Sequence, residues 1–505
     1  LGVNHTALAG IRGFEETSLE YPGLPRINVT GFGVLIETLS YRPATAPFQT
    51  YQFADSLTWT KGKHTLKAGY DYRRFKYTEY NAGTATRGRF NYSGRYSGHA
   101  FGDYLLSFPI SGQRSFPENF FGVLDTQHHF FAQDDWKVSS RLTINAGLRY
   151  ELNSVPRSLL AQASVFDAAT GKFIVSTLPN GEINLRTQQV ASVAFPFFQD
   201  RIVTAREAGR PNDLQEPYRR QFAPRFGFAF RPSGGNSTVI RGGFGVFYVL
   251  QRSNTVASDQ VANPPFHMEE NKTNTTPIPA FTTANLFDAP LARATVGVFT
   301  MEPRLRPPYS LQWNLAVQRQ LSSTLALEAA YVASKGNRVE SRTPFNFAIP
   351  GPGDDSARRP YPEFALGALY ANNANSNYHS LQLKLEKRLS SGLSFLSSYV
   401  WSKLIDNGTL FDTGSAVQDP TNLRLERGLA VLDHTHRLVN SFVYELPVGP
   451  GKRFGSTLPP VPSTLISGWQ IGGIVQFQSG FPFTPELGTP DPLNVAREYG
   501  RRPDR

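Results

Sequence analysis

Strand-like segments in this chain are joined alternately by very short and very long connections, and that parity constrains the fold more than any motif. The segment RLTINAGLRYEL at 141–152 shows the strand pattern. Leu142, Ile144, Ala146, Leu148, Tyr150 and Leu152 fall on one face, and Arg141, Thr143, Asn145, Gly147, Arg149 and Glu151 on the other. Side chains alternate along a strand, so such a segment has one apolar and one polar face. Leu381, Leu383 and Leu385 alternate in the same way with Gln382, Lys384 and Glu386, and the run from Trp469 to Gln478 repeats the pattern. The pattern predicts strands at 32–38, 50–60, 64–78, 120–136, 141–152, 224–231, 237–250, 309–320, 324–334, 378–389, 393–405, 435–447 and 466–481. Short turns fall near Lys61–Lys63, Val138–Ser140, Pro232–Asn236, Leu321–Ser323 and Ser390–Gly392, built from residues that supply tight-turn geometry. Long connections cover 79–119, 153–223, 251–308, 335–377 and 406–434. Pro447–Thr464 is intermediate in length, where the parity expects a short turn.

An antiparallel meander sends alternate connections to opposite ends. The expected fold is therefore all-β: an antiparallel transmembrane β-barrel with tight turns on one rim and long extracellular loops on the other. Leu142, Leu148, Leu383, Trp469 and Val475 should face lipid, and Thr143, Arg149, Lys384 and Gln470 the lumen. A soluble antiparallel sheet accounts for the alternation equally well, but not for five long loops on one rim. Composition agrees with a barrel. No stretch offers the roughly 20 apolar residues of a spanning helix, whereas barrel strands need only about 10. Aromatic residues make up 13% of the chain, suiting girdles at the two interfaces. With no cysteine, disulfides and thiolate sites are excluded. The net charge of +11 is scattered rather than gathered in a stripe, which favours attraction to anionic lipid over nucleic acid. Residues 1–20 lack a signal-peptide pattern, and the strand pattern opens and closes in mid-course; a partial barrel is expected.

No segment carries convincing catalytic chemistry. DTGS at Asp412–Ser415 lacks the second carboxylate of an aspartic-protease pair. Asp134 and Asp135 are adjacent in a strand and point to opposite faces. His128 with His129, and His434 with His436 beside Asp433, are candidate metal ligands without a complete set. GPGK at Gly449–Lys452 lacks the phosphate-loop spacing. Arg338, Arg342, Arg358, Arg359, Tyr361 and Tyr370, in one long loop, could grip an anionic or sugar-containing ligand. No catalytic, metal or cofactor residue is assigned, and no individual ligand contact.

Six segments stand out together: FFAQDDWKVSSRLTINAGLRYEL at 130–152, PRFGFAFRPSGGNSTVIRGGFGVFY at 224–248, PYSLQWNLAVQRQLSSTLALEAAYVASKGNRV at 308–339, YHSLQLKLEKRLSSGLSFLSSYVWSKLIDN at 378–407, HRLVNSFVYELPVGPGKRF at 436–454 and GWQIGGIVQFQSGFPFT at 468–484. In order and spacing they resemble the barrel domain of TonB-dependent outer-membrane receptors, in particular the Oar-like group with an N-terminal carboxypeptidase-regulatory-like domain. The resemblance implies a barrel of about 22 strands around a plug, with a box that contacts TonB. About 13 strands are readable here, so residues 1–505 are expected to be a partial barrel domain lacking signal peptide, regulatory-like domain, plug, TonB box and final strands. The implied function is energy-coupled uptake of a large ligand such as a siderophore, glycan or peptide. Its expected partners are outer-membrane lipid, TonB, the plug and an extracellular ligand, with no enzyme activity and no cofactor. The alternatives are a structural or surface-interaction barrel without transport, and a soluble secreted carbohydrate-binding β-protein.

Overall fold

The computed structural model describes residues 5–14, 24–36, 44–81, 85, 87–116, 119–185, 195–232, 237–250, 259–288, 296–407, 419–457, 459–483 and 485. Twelve long strands form one antiparallel meander: β1 Phe48–Lys61, β2 His64–Asn81, β3 Asn119–Lys137, β4 Leu142–Asn153, β5 Gln221–Phe230, β6 Thr238–Tyr248, β7 Tyr309–Gln320, β8 Leu325–Phe345, β9 Gly367–Ser390, β10 Leu393–Asp406, β11 His436–Glu445 and β12 Gln470–Gln478. Each pairs with its neighbours in the sequence, and four short strands extend the sheet to 16. β1 pairs only with β2, and β12 only with β11, so the described wall is open along both edges.

The connections β1–β2, β3–β4, β7–β8 and β9–β10 are tight turns on one rim, and the long connections lie on the other, as the parity requires. The β11–β12 connection is the long member of the turn rim. It folds back on itself, with Leu446 N donating to Trp469 O at 2.9 Å and a short helix at Pro460–Ile466. The wall is also staggered. Successive partners starting at Lys61 and His64, beside the first turn, run through Trp136, Ile144, Phe228, Gly242, Leu315, Tyr331, Leu381 and Trp401 to His436, at the loop-side end of β11. A hydrogen-bonded row that climbs from one rim to the other is what strand tilt in a barrel produces.

Register carries one apolar and one polar face continuously across all twelve strands. Leu142, Leu148, Leu383 and Val475 share the apolar face, with Trp469 just before β12; Thr143, Arg149, Lys384 and Gln470 share the polar one. The apolar face is bare: Phe53 is 62% exposed, Leu57 74%, Trp469 61% and Phe477 63%. The polar face is the covered one towards the loop rim, where Gln127 is 1% and His129 3% exposed. A soluble sheet buries its apolar face; this wall presents it outward, as lipid contact requires.

Twelve of the thirteen expected strands build the wall. The thirteenth, at 32–38, is instead a short strand, Gly33–Ile36, away from it. The expected loop 335–377 shrinks to 346–366, because β8 and β9 run on above the lipid band for 21 and 24 residues in all. Outside lipid neither face must be apolar, so the period-two signal fades while backbone pairing continues. A bulge at Arg338, with φ of 54°, marks the change.

The long connections pack into a roof with cores of its own. A five-stranded sheet runs in the order Met268–Thr273, Ser111–Phe116, Arg89–Tyr92, Arg26–Val29, Gly33–Ile36. A three-stranded sheet comprises Ser164–Asp167, Lys172–Val175 and Ile202–Thr204. Phe14, Phe90, Tyr92 and Phe287 pack under the first. Phe166, Phe173, Phe198 and Phe364 pack with Met268, which joins the two sheets. Tyr370 of β9 enters a further core with Val165, Ile174 and Leu214, anchoring the roof to the wall. The aromatic enrichment thus serves the roof as well as the lipid interfaces.

Candidate functional site

Beneath the roof, the polar face of β1–β5 carries a connected cluster. Asp71 accepts from Gln52 Nε2 at 3.1 Å and is paired with Arg73 at 2.9 Å. Arg149 Nη2 lies 2.6 Å from His129 Nδ1, and Arg149 Nε donates to Glu151 at 2.9 Å. A guanidinium can only donate, so His129 Nδ1 accepts and Nε2 carries the hydrogen, which it donates to Asn153 Oδ1 at 2.9 Å. Asn153 Nδ2 donates to Gln221 Oε1 at 3.1 Å, and Gln221 Nε2 to Tyr218 O at 3.1 Å. Donors and acceptors therefore all point one way along the face. Asp125 closes the upper end, accepting from Ser154 Oγ at 3.0 Å. The buried Oε1 of Gln127 has no partner among the described residues.

The segment 259–266 lies across this face. Val261 packs on Phe121, Val123 and Tyr77 of β2 and β3. Arg342, on the far side of the wall in β8, holds Asp259 with two hydrogen bonds of 3.1 and 3.0 Å. Burial pushes the Asp259 carboxyl up, against the opposing pull of that guanidinium. Asn263 locks the segment in place: its Nδ2 donates to Ser164 O and Phe299 O, and its Oδ1 accepts from Phe299 N at 2.7 Å. The result is a polar lumen wall roofed by a fastened crossing segment.

The sequence candidates divide accordingly. His128 and His129 point to opposite faces, His128 bonding Tyr70 on the apolar side, so they cannot share a metal. His434 bonds Ser479 O and His436 bonds Tyr399, while Asp433 accepts from Leu404 N and Thr435 Oγ1. Among the described residues no group of three His, Asp or Glu could hold a metal ion. Asp134 faces His64 at 2.6 Å and Asp135 faces Asn145, on opposite sides of β3. Gly449–Lys452 forms part of the β11–β12 turn, with Lys452 Nζ 3.4 Å from Glu445. Asp412–Ser415 lies outside the described residues.

The loop arginines hold the roof together. Arg342 binds Asp259, Arg358 donates to Ile349 O, and Arg359 pairs with Asp355 at 2.7 Å. Arg338 lies over the Tyr309 ring, Tyr361 donates to Ala168 O, and Tyr370 is fully buried. Sequence reasoning missed the lumen cluster as a unit. The alternation placed Arg149 on the polar face; only register brings Asp71, His129 and Gln221 to it.

A family model described as an outer membrane beta-barrel domain matches residues 2–505. No curated protein matches the chain. Among solved structures, the outer membrane transporter YddB from Escherichia coli aligns at 9% identity and a TM-score of 0.47, covering 79% of this chain and 40% of its own. The siderophore receptor PirA from Acinetobacter baumannii aligns at 9% identity and a TM-score of 0.40, covering 84% and 44%. The ferric yersiniabactin uptake receptor FyuA from Yersinia pestis aligns at 8% identity and a TM-score of 0.36, covering 80% and 42%. The chain thus spans less than half the length of each of these structures.

Proposed function

The chain belongs to the outer membrane β-barrel domain family and resides in the cell outer membrane, and from that premise we propose that it forms wall and roof of a TonB-dependent, Oar-like receptor for energy-coupled uptake of a large ligand. One observation carries the reading: a continuous polar lumen face lies beneath a roof fastened by Asp259–Arg342 and Asn263. Both open edges, β1 and β12, call for further strands of the same protein, since an unpaired edge is costly in lipid. A plug and a TonB-contacting box complete the proposed receptor. The reading assigns no covalent step to any residue.

Uptake measured in cells tests it. Full-length protein should accumulate its ligand only while TonB is present, with surface binding retained when TonB is deleted. Accumulation unchanged without TonB, or binding with no accumulation in either strain, would replace this reading with a surface-interaction barrel.

A further inference from the structure

Three times along the wall a tyrosine and a cation recur in the same places. β2 carries Tyr70, Tyr72 and Arg74; β8 carries Tyr331, Ala333 and Lys335; β10 carries Tyr399, Trp401 and Lys403. Within each trio the residues alternate along the strand, so all lie on the apolar face. In every case the tyrosine stands six residues, and the cation ten, beyond the first residue of a strand that rises from a tight turn. On the next strand a histidine stands directly opposite the middle residue: His128 opposite Tyr72, His379 opposite Ala333, His436 opposite Trp401.

The ring geometry repeats as well. The tyrosine hydroxyl lies 2.7, 2.7 and 2.8 Å from the histidine Nδ1. The rings stack at 25°, 25° and 17°, with centroids 6.1, 6.1 and 6.2 Å apart. With the hydroxyl donating to Nδ1, each Nε2 carries a hydrogen and makes no hydrogen bond to another described residue. Arg74, Lys335 and Lys403 are exposed, and among the described residues none is ion-paired. Lys403 also stands directly opposite His379, which gives the middle set two cations.

Depth decides what these groups meet. Ten residues at about 3.3 Å each, on a strand tilted by roughly 40°, rise about 25 Å above the turn rim, the height of the lipid-facing band. On the same scale the tyrosines lie about 15 Å and the histidines about 20 Å above the turn rim, inside the outer half of the band, with the cations at its loop-side edge. An aromatic girdle alone requires neither a fixed cation without a counter-ion nor a repeated imidazole donor.

We propose that each set is a binding site for the phosphate of an outer-leaflet lipid. The guanidinium or ammonium takes the charge, the histidine Nε2–H donates to a phosphate oxygen drawn down by that cation, and the aromatic rings lie against the acyl chain below. The inference rests on the outward orientation of the apolar face, which insertion of the unmodified protein into phosphatidylcholine vesicles checks separately.

The test is lipid retention by the full-length protein, delipidated in detergent and read by native mass spectrometry. Phosphatidylglycerol should be retained at three copies beyond the background seen with phosphatidylcholine. R74Q, K335Q and K403Q should each lower the number of retained lipids, and the triple variant should lose all three copies. Each single substitution alters an exposed side chain and is read by itself should the triple variant fail to insert. Equal retention by the singles, equal retention of phosphatidylcholine, or displacement of phosphatidylglycerol by equimolar inorganic phosphate would overturn the proposal.

Discussion

Asn263 is a single buried side chain that fastens three stretches of backbone, since it bonds Ser164 and Phe299 from within the crossing segment. Replacing it with Leu strands buried peptide groups, at a cost of about 2–4 kcal/mol to the roof. Limited proteolysis should then cut within the roof connections while the wall keeps its resistance to heat in detergent; unchanged cleavage kinetics would show that the fastening lies elsewhere. Asn346 acts in the same way, donating to Tyr361 O, Phe364 O and Ala365 O. Asp103 gives the roof a pH dependence. Burial would raise its carboxyl, but hydrogen bonds from Ser97, Tyr96 and Gly94 outweigh this and hold it below the usual carboxylate range. The folded state therefore favours the charge. Its stabilisation is complete above the unfolded value of about 3.9 and fades as pH falls through the lower folded value. Amide protection of Tyr96 and Ser97 should drop in that acid window, and D103N should be weak already at neutral pH, with no further loss on acidification.

The strands differ in how far they could be read beforehand, and lipid explains the difference. Inside the membrane band each strand separates two solvents, so the period-two pattern of β4, or of Leu381–Glu386 in β9, is plain. Its energetic counterpart is testable. Leu383→Arg, on the lipid face, should cost about 2–4 kcal/mol at mid-bilayer, whereas Gln382→Arg on the neighbouring polar face should cost little. Urea unfolding in vesicles measures both, and equal costs would contradict the assignment of faces. Above the band, β8 and β9 continue through NRVESR and ALYANNANSN with no such contrast, and the sequence there reads as loop. The roof strands were invisible for another reason: Met268–Thr273 pairs with Ser111–Phe116 across some 150 residues, and no local pattern announces a partner so remote. The lumen cluster was half legible. Alternation assigned Arg149 to the polar face, but the approach of Asp71 and Gln221 depends on register between strands.

For the molecule as a whole, the edges that stay open among the described residues, Phe48–Lys61 and Gln470–Gln478, are the decisive feature. Unpaired strand backbone is unfavourable in lipid and invites association in water. Residues 1–505 expressed alone should therefore aggregate or migrate as a single species in detergent gels whether heated or not. A separate, faster-migrating unheated band would mean that the edges find each other. The wall and the roof also answer to opposite solvents. The wall's apolar surface has no interior to hide in and draws its cohesion from the bilayer, while the roof's phenylalanines are sequestered from water much as in an ordinary soluble domain. Hydrating buried apolar surface is what raises heat capacity on unfolding, so calorimetry of the protein in vesicles should resolve two events. The earlier event belongs to the roof and carries most of the heat-capacity increment and of the sensitivity to excluded osmolytes; the later one belongs to the wall and shifts with bilayer thickness instead.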